Sequence, residues 1–204
     1  MADLTVQRRS PLADLTLDLR EGAVSGDRHV SLTERPYLTM VGLRVDPSSP
    51  AAAAVEGVLG TNLPRSCGQV TANAGHHLLW LGPDEWLIVS ELEPGALLEA
   101  LLDAVGDAHA AVVDLSANRT VLELSGPAAR SVLSKGCPLD LHPRAFEAGR
   151  AVSTTLARMP LLLWQIGPDT YRLLPRSSFA QYVAAWLLDA MQEFGSGFRD
   201  GVNS

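Results

Sequence analysis

The chain has 204 residues, a net charge of −7 at pH 7 and 47% hydrophobic residues, which predicts one sizeable domain or two small ones with an ordinary globular core. Its pI is about 5.1 and no Lys/Arg run is longer than Arg8-Arg9, so the electrostatic footprint of a nucleic-acid-binding protein is absent. The sequence shows no apolar leader and no apolar run near the roughly 20 residues of a membrane span. We therefore expect a soluble, cytoplasmic protein with neither a nucleic-acid nor a membrane partner.

The first 36 residues are polar and irregular, and only Leu15 to Leu19 alternates in the manner of a short strand. A polar segment of this length cannot bury enough apolar surface to fold by itself. We therefore predict an N-terminal arm over residues 1–36 that is disordered or laid on another surface, such as that of a partner.

Regular structure begins at Tyr37. Residues 38–45 are predicted to form a strand, and a helix follows over residues 51–59. Ser49 is placed to cap this helix, with Pro50 at its first position. Gly60 is placed to end it in a left-handed conformation.

One segment of the chain occurs twice. Residues 78–89 and 162–174 each bring an apolar run with a Trp into a Gly-Pro-Asp turn, and an aromatic residue follows two positions after the Asp. The turn glycines, Gly82 and Gly167, are 85 residues apart (167 − 82). This pattern predicts the same β-hairpin in two halves of one domain.

The strand and helix before the hairpin also occur twice. Residues 119–125 are predicted to form a strand, and a helix follows over residues 128–135, ended by Gly136. Leu43 then matches Leu122 at an offset of 79 residues (122 − 43), which agrees with the hairpin offset if the second half contains a short insertion.

A helix is predicted after each hairpin. The first covers residues 95–105, and its predicted apolar face consists of Leu98, Leu101, Leu102 and Val105. The second covers residues 178–194, capped by Ser177 or Ser178. Its helically spaced apolar residues are Phe179, Tyr182, Val183, Trp186, Leu187, Ala190 and Phe194. Because this helix is apolar around much of its circumference, we expect it to be buried on more than one side, in the core or against a second protein.

Each half thus follows the order strand, helix, one or two strands, hairpin, helix. The predicted fold class is α+β, with two pseudo-symmetric ferredoxin-like halves. We expect a single domain over residues 37–194, with halves at about 37–106 and 107–194, and a flexible tail over residues 195–204.

The sequence offers little chemistry of its own. It lacks a nucleotide-binding glycine loop and a G-x-S-x-G motif. His76 and His77 are adjacent on a predicted strand and point to opposite faces, so they cannot bind one ion together. Cys67 and Cys137 form neither a C-x-x-C motif nor a disulfide framework. We therefore predict no catalytic, cofactor-binding or metal-binding residue in this chain.

A polar stretch over residues 114–120 lies between two apolar runs. One interpretation is two strands joined by a turn at Ala117-Asn118. The other is a contact with a substrate or a partner through Asn118 and Arg119.

Several blocks of the sequence resemble known families. Asp114-Leu115-Ser116 and residues 122–133 resemble the entry strand and first helix of the folate-binding aminomethyltransferase (glycine-cleavage T-protein) fold. The chain is also similar, over about residues 37–192, to the gamma subunits of heterotetrameric sarcosine oxidases. The blocks that carry this second resemblance are residues 135–141, 155–157, 171–180 and 186–190.

This resemblance implies a complex of alpha, beta, gamma and delta subunits. Such a complex oxidises the N-methyl group of sarcosine and gives glycine, peroxide and a one-carbon unit that passes to tetrahydrofolate. The resemblance places FAD, FMN, NAD, tetrahydrofolate and zinc in the partner subunits. It implies no cofactor on this chain.

The resemblance also implies a lost site. Aminomethyltransferases have an Asn-Glu-x-Gly-x-x-x-Asp-type segment on the central hairpin, and its Asp serves the folate chemistry. The corresponding stretch of this chain, residues 154–163, has neither a carboxylate nor a glycine. An apolar strand is expected in place of the acid.

The leading hypothesis is therefore a non-catalytic, structural subunit of a sarcosine oxidase-like complex. The alternative is a stand-alone folate-dependent enzyme. Tyr, Trp and Arg are favoured at the energetic centres of interfaces, so we place the partner surface on the exposed side of the hairpins and on the last helix. The predicted partner contacts are Asn118, Arg119, Tyr171, Arg176, Phe179 and Trp186.

Overall fold

The computed structural model describes residues 8–195. All of the predicted C-terminal tail except Gly195 lies outside the described residues. The strands in chain order are Ser31–Glu34 (β1), Thr39–Arg44 (β2), Val70–Asn73 (β3), His76–Gly82 (β4), Glu85–Ser90 (β5), Ala111–Asp114 (β6), Leu122–Ser125 (β7), Ala151–Leu156 (β8), Met159–Gly167 (β9) and Thr170–Pro175 (β10). The helices are Thr16–Glu21 (α1), Pro50–Leu59 (α2), Pro94–Val105 (α3), Ala129–Ser134 (α4) and Ala180–Gln192 (α5).

The strands form two five-stranded sheets whose paired neighbours are antiparallel. The first sheet has the order β3-β4-β5-β2-β6, and the second has the order β8-β9-β10-β7-β1. The chain passes through β2-α2-β3-β4-β5-α3 and then through β7-α4-β8-β9-β10-α5. The two halves therefore share one topology, and the predicted pair of ferredoxin-like halves is confirmed.

The fifth strand of each sheet has a different origin in the two halves. In the first sheet it is β6, which follows α3 and pairs with β2. In the second sheet it is β1, which comes from the N-terminal segment and pairs with β7 from Ser31 opposite Ser125 to Glu34 opposite Leu122. The N-terminal segment thus completes the sheet of the distant half.

Of the two alternatives predicted for residues 1–36, the described part follows the second, since it is laid on the second half of the chain; its placement outside the domain was wrong. Its scattered apolar side chains are buried in the core of the second half; these are Leu12, Leu19, Val30 and Leu32. A polar segment can join a folded domain when another part of the chain supplies both the free sheet edge and the apolar surface. The domain therefore begins before Tyr37.

The two sheets face each other across a shared apolar layer. This layer includes Met40, Leu79 and Leu87 from the first sheet and Leu162, Trp164 and Leu174 from the second. Helices α2 and α3 cover the outer face of the first sheet. Helices α4 and α5 and the N-terminal segment cover the outer face of the second. The result is four layers, with the sheets in the middle.

The predicted cap and end of helix α2 are confirmed. The Ser49 hydroxyl accepts a hydrogen bond of 3.2 Å from the amide of Ala52. Gly60 ends the helix with φ of 63°, a conformation that costs glycine little. The α5 helix differs from its prediction because it begins at Ala180 after a 3-10 turn over Ser177–Phe179, with no side-chain cap.

The buried faces of the two later helices are also shifted from their predictions. In α3 the buried residues are Leu97, Leu101 and Val105, whereas Leu102 is 51% exposed. In α5 one broad face is buried, but Tyr182 on the other side is 50% exposed. Burial of the last helix on more than one side by the core of this chain was therefore a wrong expectation, whereas burial of its other side against a second protein stays a prediction. None of the helices formed by residues 8–195 is long and apolar enough to cross a membrane.

Candidate partner-binding surface

The twin hairpins are structural anchors. The aromatic residues that follow their turns, Trp86 and Tyr171, are both 0% exposed under the helices. The Trp86 indole nitrogen donates a 2.8 Å hydrogen bond to the carbonyl of Pro64. The Tyr171 hydroxyl accepts a 3.2 Å hydrogen bond from Arg130, and burial raises the pKa of this phenol. Tyr171 was wrongly predicted as a partner contact, because the folded core encloses it completely.

Four of the other predicted contact residues lie at one place, where the crossover after β6 meets the end of β10. The amide of Ser177 donates to the carbonyl of Asn118 at 2.9 Å, and Arg119 forms a β-bridge with Arg176. The amide of Phe179 donates to the carbonyl of Arg176 at 2.8 Å. The hydroxyl of Ser177 donates to Ala117, which explains why it does not cap α5. That Asn118, Arg119, Arg176 and Phe179 contact a partner stays a prediction.

Trp186 lies elsewhere, on α5. Its half-buried ring covers Gly136, where an added Cβ would lie only 2.6 Å from the ring atom Cζ2. The amide of Ala157 donates to the Gly136 carbonyl at 3.1 Å. Trp186 therefore packs against the end of α4, and the backbone hydrogen bond joins that end to the β8–β9 turn. Its predicted role as a partner contact stays a prediction.

Residues 154–163, predicted to correspond in position to the acid-bearing segment of aminomethyltransferases, form the turn and adjoining strands of the β8–β9 hairpin. Ala157 and Arg158 form its turn with φ of 47° and 73°. The following strand buries residues 161–165. The predicted apolar strand is confirmed. Its correspondence to the folate-acid segment stays a prediction.

A cleft of about 620 Å³ opens beside Arg119, between the two halves. The N-terminal segment contributes Arg8, Arg35 and Tyr37 to its wall, and β2 contributes Met40. Sequence reasoning missed the N-terminal wall because it treated this segment as a separate arm. The available signal was the arginines at positions 8, 9 and 35, which flank a segment that contains five leucines.

The lining of this cleft is basic, although the whole chain is acidic. Four arginines and one carboxylate line it: Arg8, Arg9, Arg35, Arg119 and Asp114. The carboxylate is engaged in its own turn, because Asp114 accepts a 2.8 Å hydrogen bond from the amide of Ser116. Burial, followed by the charge of Arg176, lowers the pKa of the Arg119 guanidinium. The cleft therefore has a positive charge that its own acidic group does not neutralise.

A second polar feature lies between the sheets. Glu123 on β7 and Arg172 on β10 are cross-strand neighbours, and their side chains form an ion pair of 3.1 Å with only 21% and 13% exposure. The Arg172 guanidinium also lies over the Trp164 ring, 5.1 Å from its centroid. Sequence reasoning missed this pair because the two residues are far apart in the chain.

The adjacent histidines occupy opposite sides of β4, as strand alternation predicts. His77 packs its ring against Trp164 with centroids 4.8 Å apart. His76 is 9% exposed, and its Nδ1 atom has no hydrogen-bond partner among the described residues. Burial lowers the pKa of both imidazoles. No group of three or more His, Cys, Asp or Glu residues within the range 8–195 is arranged to hold a metal ion.

We expect acid to destabilise the fold partly through His76. Its pKa in the folded chain lies below the ordinary value of 6.5, so the unfolded chain binds more protons as the pH falls through that value. The free energy of unfolding, measured by urea denaturation, should therefore decrease between about pH 7 and pH 5. His76→Gln should make this decrease smaller, whereas Leu102→Gln, at an exposed residue that does not titrate, should leave it unchanged. An equal pH dependence in all three proteins would contradict the prediction.

Comparison with known proteins agrees with this architecture. Residues 44–193 match the model of a family described as "Sarcosine oxidase, gamma subunit family". The chain is 47% identical over 197 residues to the sarcosine oxidase subunit gamma of Corynebacterium sp. strain U-96, with 96% of each chain covered. It is also 47% identical to the corresponding subunit of Arthrobacter sp., again with 96% of each chain covered.

Two solved structures are informative. A chain of the heterotetrameric sarcosine oxidase from Corynebacterium sp. U-96, in complex with pyrrole 2-carboxylate, superposes with a TM-score of 0.89 at 47% identity and covers 93% of this chain and 97% of its own length. The aminomethyltransferase T of the glycine cleavage system from Bartonella henselae superposes with a TM-score of 0.64 at 16% identity. The second match covers 87% of this chain and 56% of the aminomethyltransferase, and it supports the fold alone.

Proposed function

The chain belongs to the sarcosine oxidase gamma subunit family, and from this we propose that it is a structural subunit of a heterotetrameric sarcosine oxidase. The observation that supports the proposal most strongly is the 47% identity to a sarcosine oxidase subunit gamma across 96% of both chains. At this identity and coverage the same fold and assembly surfaces are expected in both proteins.

The proposed partners are alpha, beta and delta subunits, which would contain FAD, FMN, NAD, tetrahydrofolate and zinc. In this proposal the partner chains oxidise the N-methyl group of sarcosine, and glycine, peroxide and 5,10-methylenetetrahydrofolate are formed there. The present chain contributes shape and contact surface and has no active site of its own. Glu123 and Arg172, the half-buried charges that it places between the sheets, are already paired within the fold. We also propose that the assembly acts in the cytoplasm.

The proposal is tested by co-expression of a tagged chain with the three partner subunits from the same genome. We expect all four chains to elute together in one complex that consumes oxygen when sarcosine is added, and the isolated chain to be inactive. Omission of this chain should lower the yield of the complex, because a structural subunit contributes buried interface rather than chemistry. Recovery of the partners at the same yield and activity without this chain would contradict the proposal.

No observation favours the alternative of a stand-alone folate-dependent enzyme. The same preparation tests it, since the isolated chain can be titrated with tetrahydrofolate and assayed with sarcosine. Tight folate binding together with turnover by the isolated chain would replace the proposed function with the alternative.

A further inference from the structure

The positive charge of the cleft between the two halves is only partly paired with carboxylates of the described residues. Arg9 pairs with Asp14, and Arg35 lies 3.5 Å from Glu91. No carboxylate within residues 8–195 comes within 4.0 Å of the Arg119 or Arg176 guanidinium groups. These two residues are held next to each other by a backbone bridge, so two like charges are fixed side by side.

The hydrogen-bonding capacity of Arg119 is also mostly unused. A guanidinium group has five N–H donors, and Arg119 uses one of them for the carbonyl of Leu174 at 2.8 Å. Arg176 is exposed, and its side chain makes no hydrogen bond within the described part of the chain. The planar donor fork of arginine matches the two oxygens of a carboxylate. The two side chains thus present the groups that recognise carboxylates.

An independent observation at the mouth of the cleft also points to binding. Tyr37 has φ of 64°, a conformation that is uncommon and costly for a bulky residue. Its ring is 51% exposed and lies under the Arg8 guanidinium, 5.1 Å from it. Its hydroxyl donates to the Arg8 carbonyl at 3.1 Å. An exposed aromatic held in a strained conformation beside arginines has the composition of an interface centre.

The rest of the wall indicates the kind of occupant. The apolar side chains behind the cleft, Leu38, Met40 and Val121, are only 9%, 1% and 1% exposed and belong to the core. The surface open to a ligand is therefore formed by the arginines and by Tyr37. Such a surface fits an extended peptide that has carboxylates and an apolar side chain to pack on the Tyr37 ring.

We propose that the cleft binds an acidic segment of a partner subunit, whose carboxylates pair with Arg119 in the cleft and with its exposed bridge neighbour Arg176, while an apolar side chain of the segment contacts Tyr37. The proposal rests on the proposed function, since it assigns one contact surface of the subunit. The pairing supplies the counter-charge that residues 8–195 do not place beside these two arginines.

The test uses the co-expressed complex with Arg176→Glu and Arg119→Gln variants of the tagged chain. We expect each to weaken association with the partners by about tenfold or more, because loss of one member of an interfacial charge pair leaves the other uncompensated. The matched control is Arg144→Glu, at an exposed arginine of a loop outside the cleft, which should associate as the wild type does. Thermal unfolding of each isolated variant shows whether it is folded.

Hydrogen exchange gives a second readout that needs no substitution. Amides in residues 35–40 and 116–121 should exchange more slowly in the complex than in the isolated chain.

Equal exchange in the two states, or equal association of folded Arg176→Glu and wild-type chains, would overturn the cleft proposal and leave the proposed function intact. Failure of the wild-type chain to assemble at all would overturn the proposed function instead. Saturable binding of the small dicarboxylate succinate to the isolated chain, lost in Arg119→Gln with no change in assembly, would also overturn the cleft proposal by assigning the site to a metabolite.

Discussion

A chain that begins at Tyr37 should fail to form the second half of the domain. The deletion removes strand β1, which completes the second sheet, together with the buried side chains of Leu12, Leu19, Val30 and Leu32. Burial of each such side chain is worth about 1.5–3 kcal/mol, so the loss is about 6–12 kcal/mol. This approaches the whole stability of an ordinary domain, about 5–15 kcal/mol. We expect an insoluble product, or a soluble one without a cooperative thermal transition.

The control is a chain that begins at Arg8, which keeps all of these contacts and should melt as the full chain does. A milder version is Leu32→Ala, which should lower the free energy of unfolding by about 2–5 kcal/mol. Thr33→Ala, at the exposed neighbour on the same strand, should change it much less. A chain from Tyr37 that unfolds cooperatively at the temperature of the full chain would show that the segment is dispensable.

Glu123→Ala should lower the free energy of unfolding by about 2–4 kcal/mol. The substitution leaves the Arg172 charge between the sheets without its partner, and rupture of a buried ion pair costs about 3–5 kcal/mol, reduced here because 13–21% of each side chain is exposed. Arg172→Ala should cost at least as much, since it also removes the contact with Trp164. Chemical denaturation of the purified chain measures both values.

The double variant Glu123→Leu with Arg172→Met should lie within about 1–2 kcal/mol of the wild type, because apolar groups can replace both charges. The matched control is the pair Arg44–Asp84, which has the same 3.1 Å separation but is 59% and 50% exposed. Asp84→Ala should therefore cost only about 0–1 kcal/mol. If Glu123→Ala lowers the free energy of unfolding no more than Asp84→Ala does, burial does not explain the stability contributed by the Glu123–Arg172 pair.

Local features of the fold could be predicted because neighbouring residues determine them. The cap of α2 by Ser49, its end at Gly60 and the twin hairpins were all predicted correctly. A cap, a left-handed glycine and a hairpin turn depend on a few adjacent residues. The repeat of these features at nearly constant spacing also predicted two similar halves.

Features that depend on distant contacts were predicted less well. The exposed side of α3 differs from its prediction by one position, since Leu102 is exposed and Leu97 is buried, and periodicity alone cannot choose between adjacent leucines. Tyr171 was assigned to the surface as an aromatic of the kind found in interfaces, but its position after the hairpin turn places it under the helices. The chain-order pattern gave no indication that Arg119 and Arg176 are neighbours.

The amino-acid sequence by itself determined the elements, the internal repeat, the fold class and the family resemblance, because each of these depends on local pattern or on order along the chain. Only the tertiary structure decided that β1 completes the sheet of the distant half and that residues on either side of β1, such as Arg8 and Arg35, form one wall of the arginine-lined cleft. The physical reason is that β1 is too short and too polar to form a stable strand alone. It becomes a strand only where the free edge of β7 satisfies its backbone hydrogen bonds and the second core covers its one leucine, Leu32.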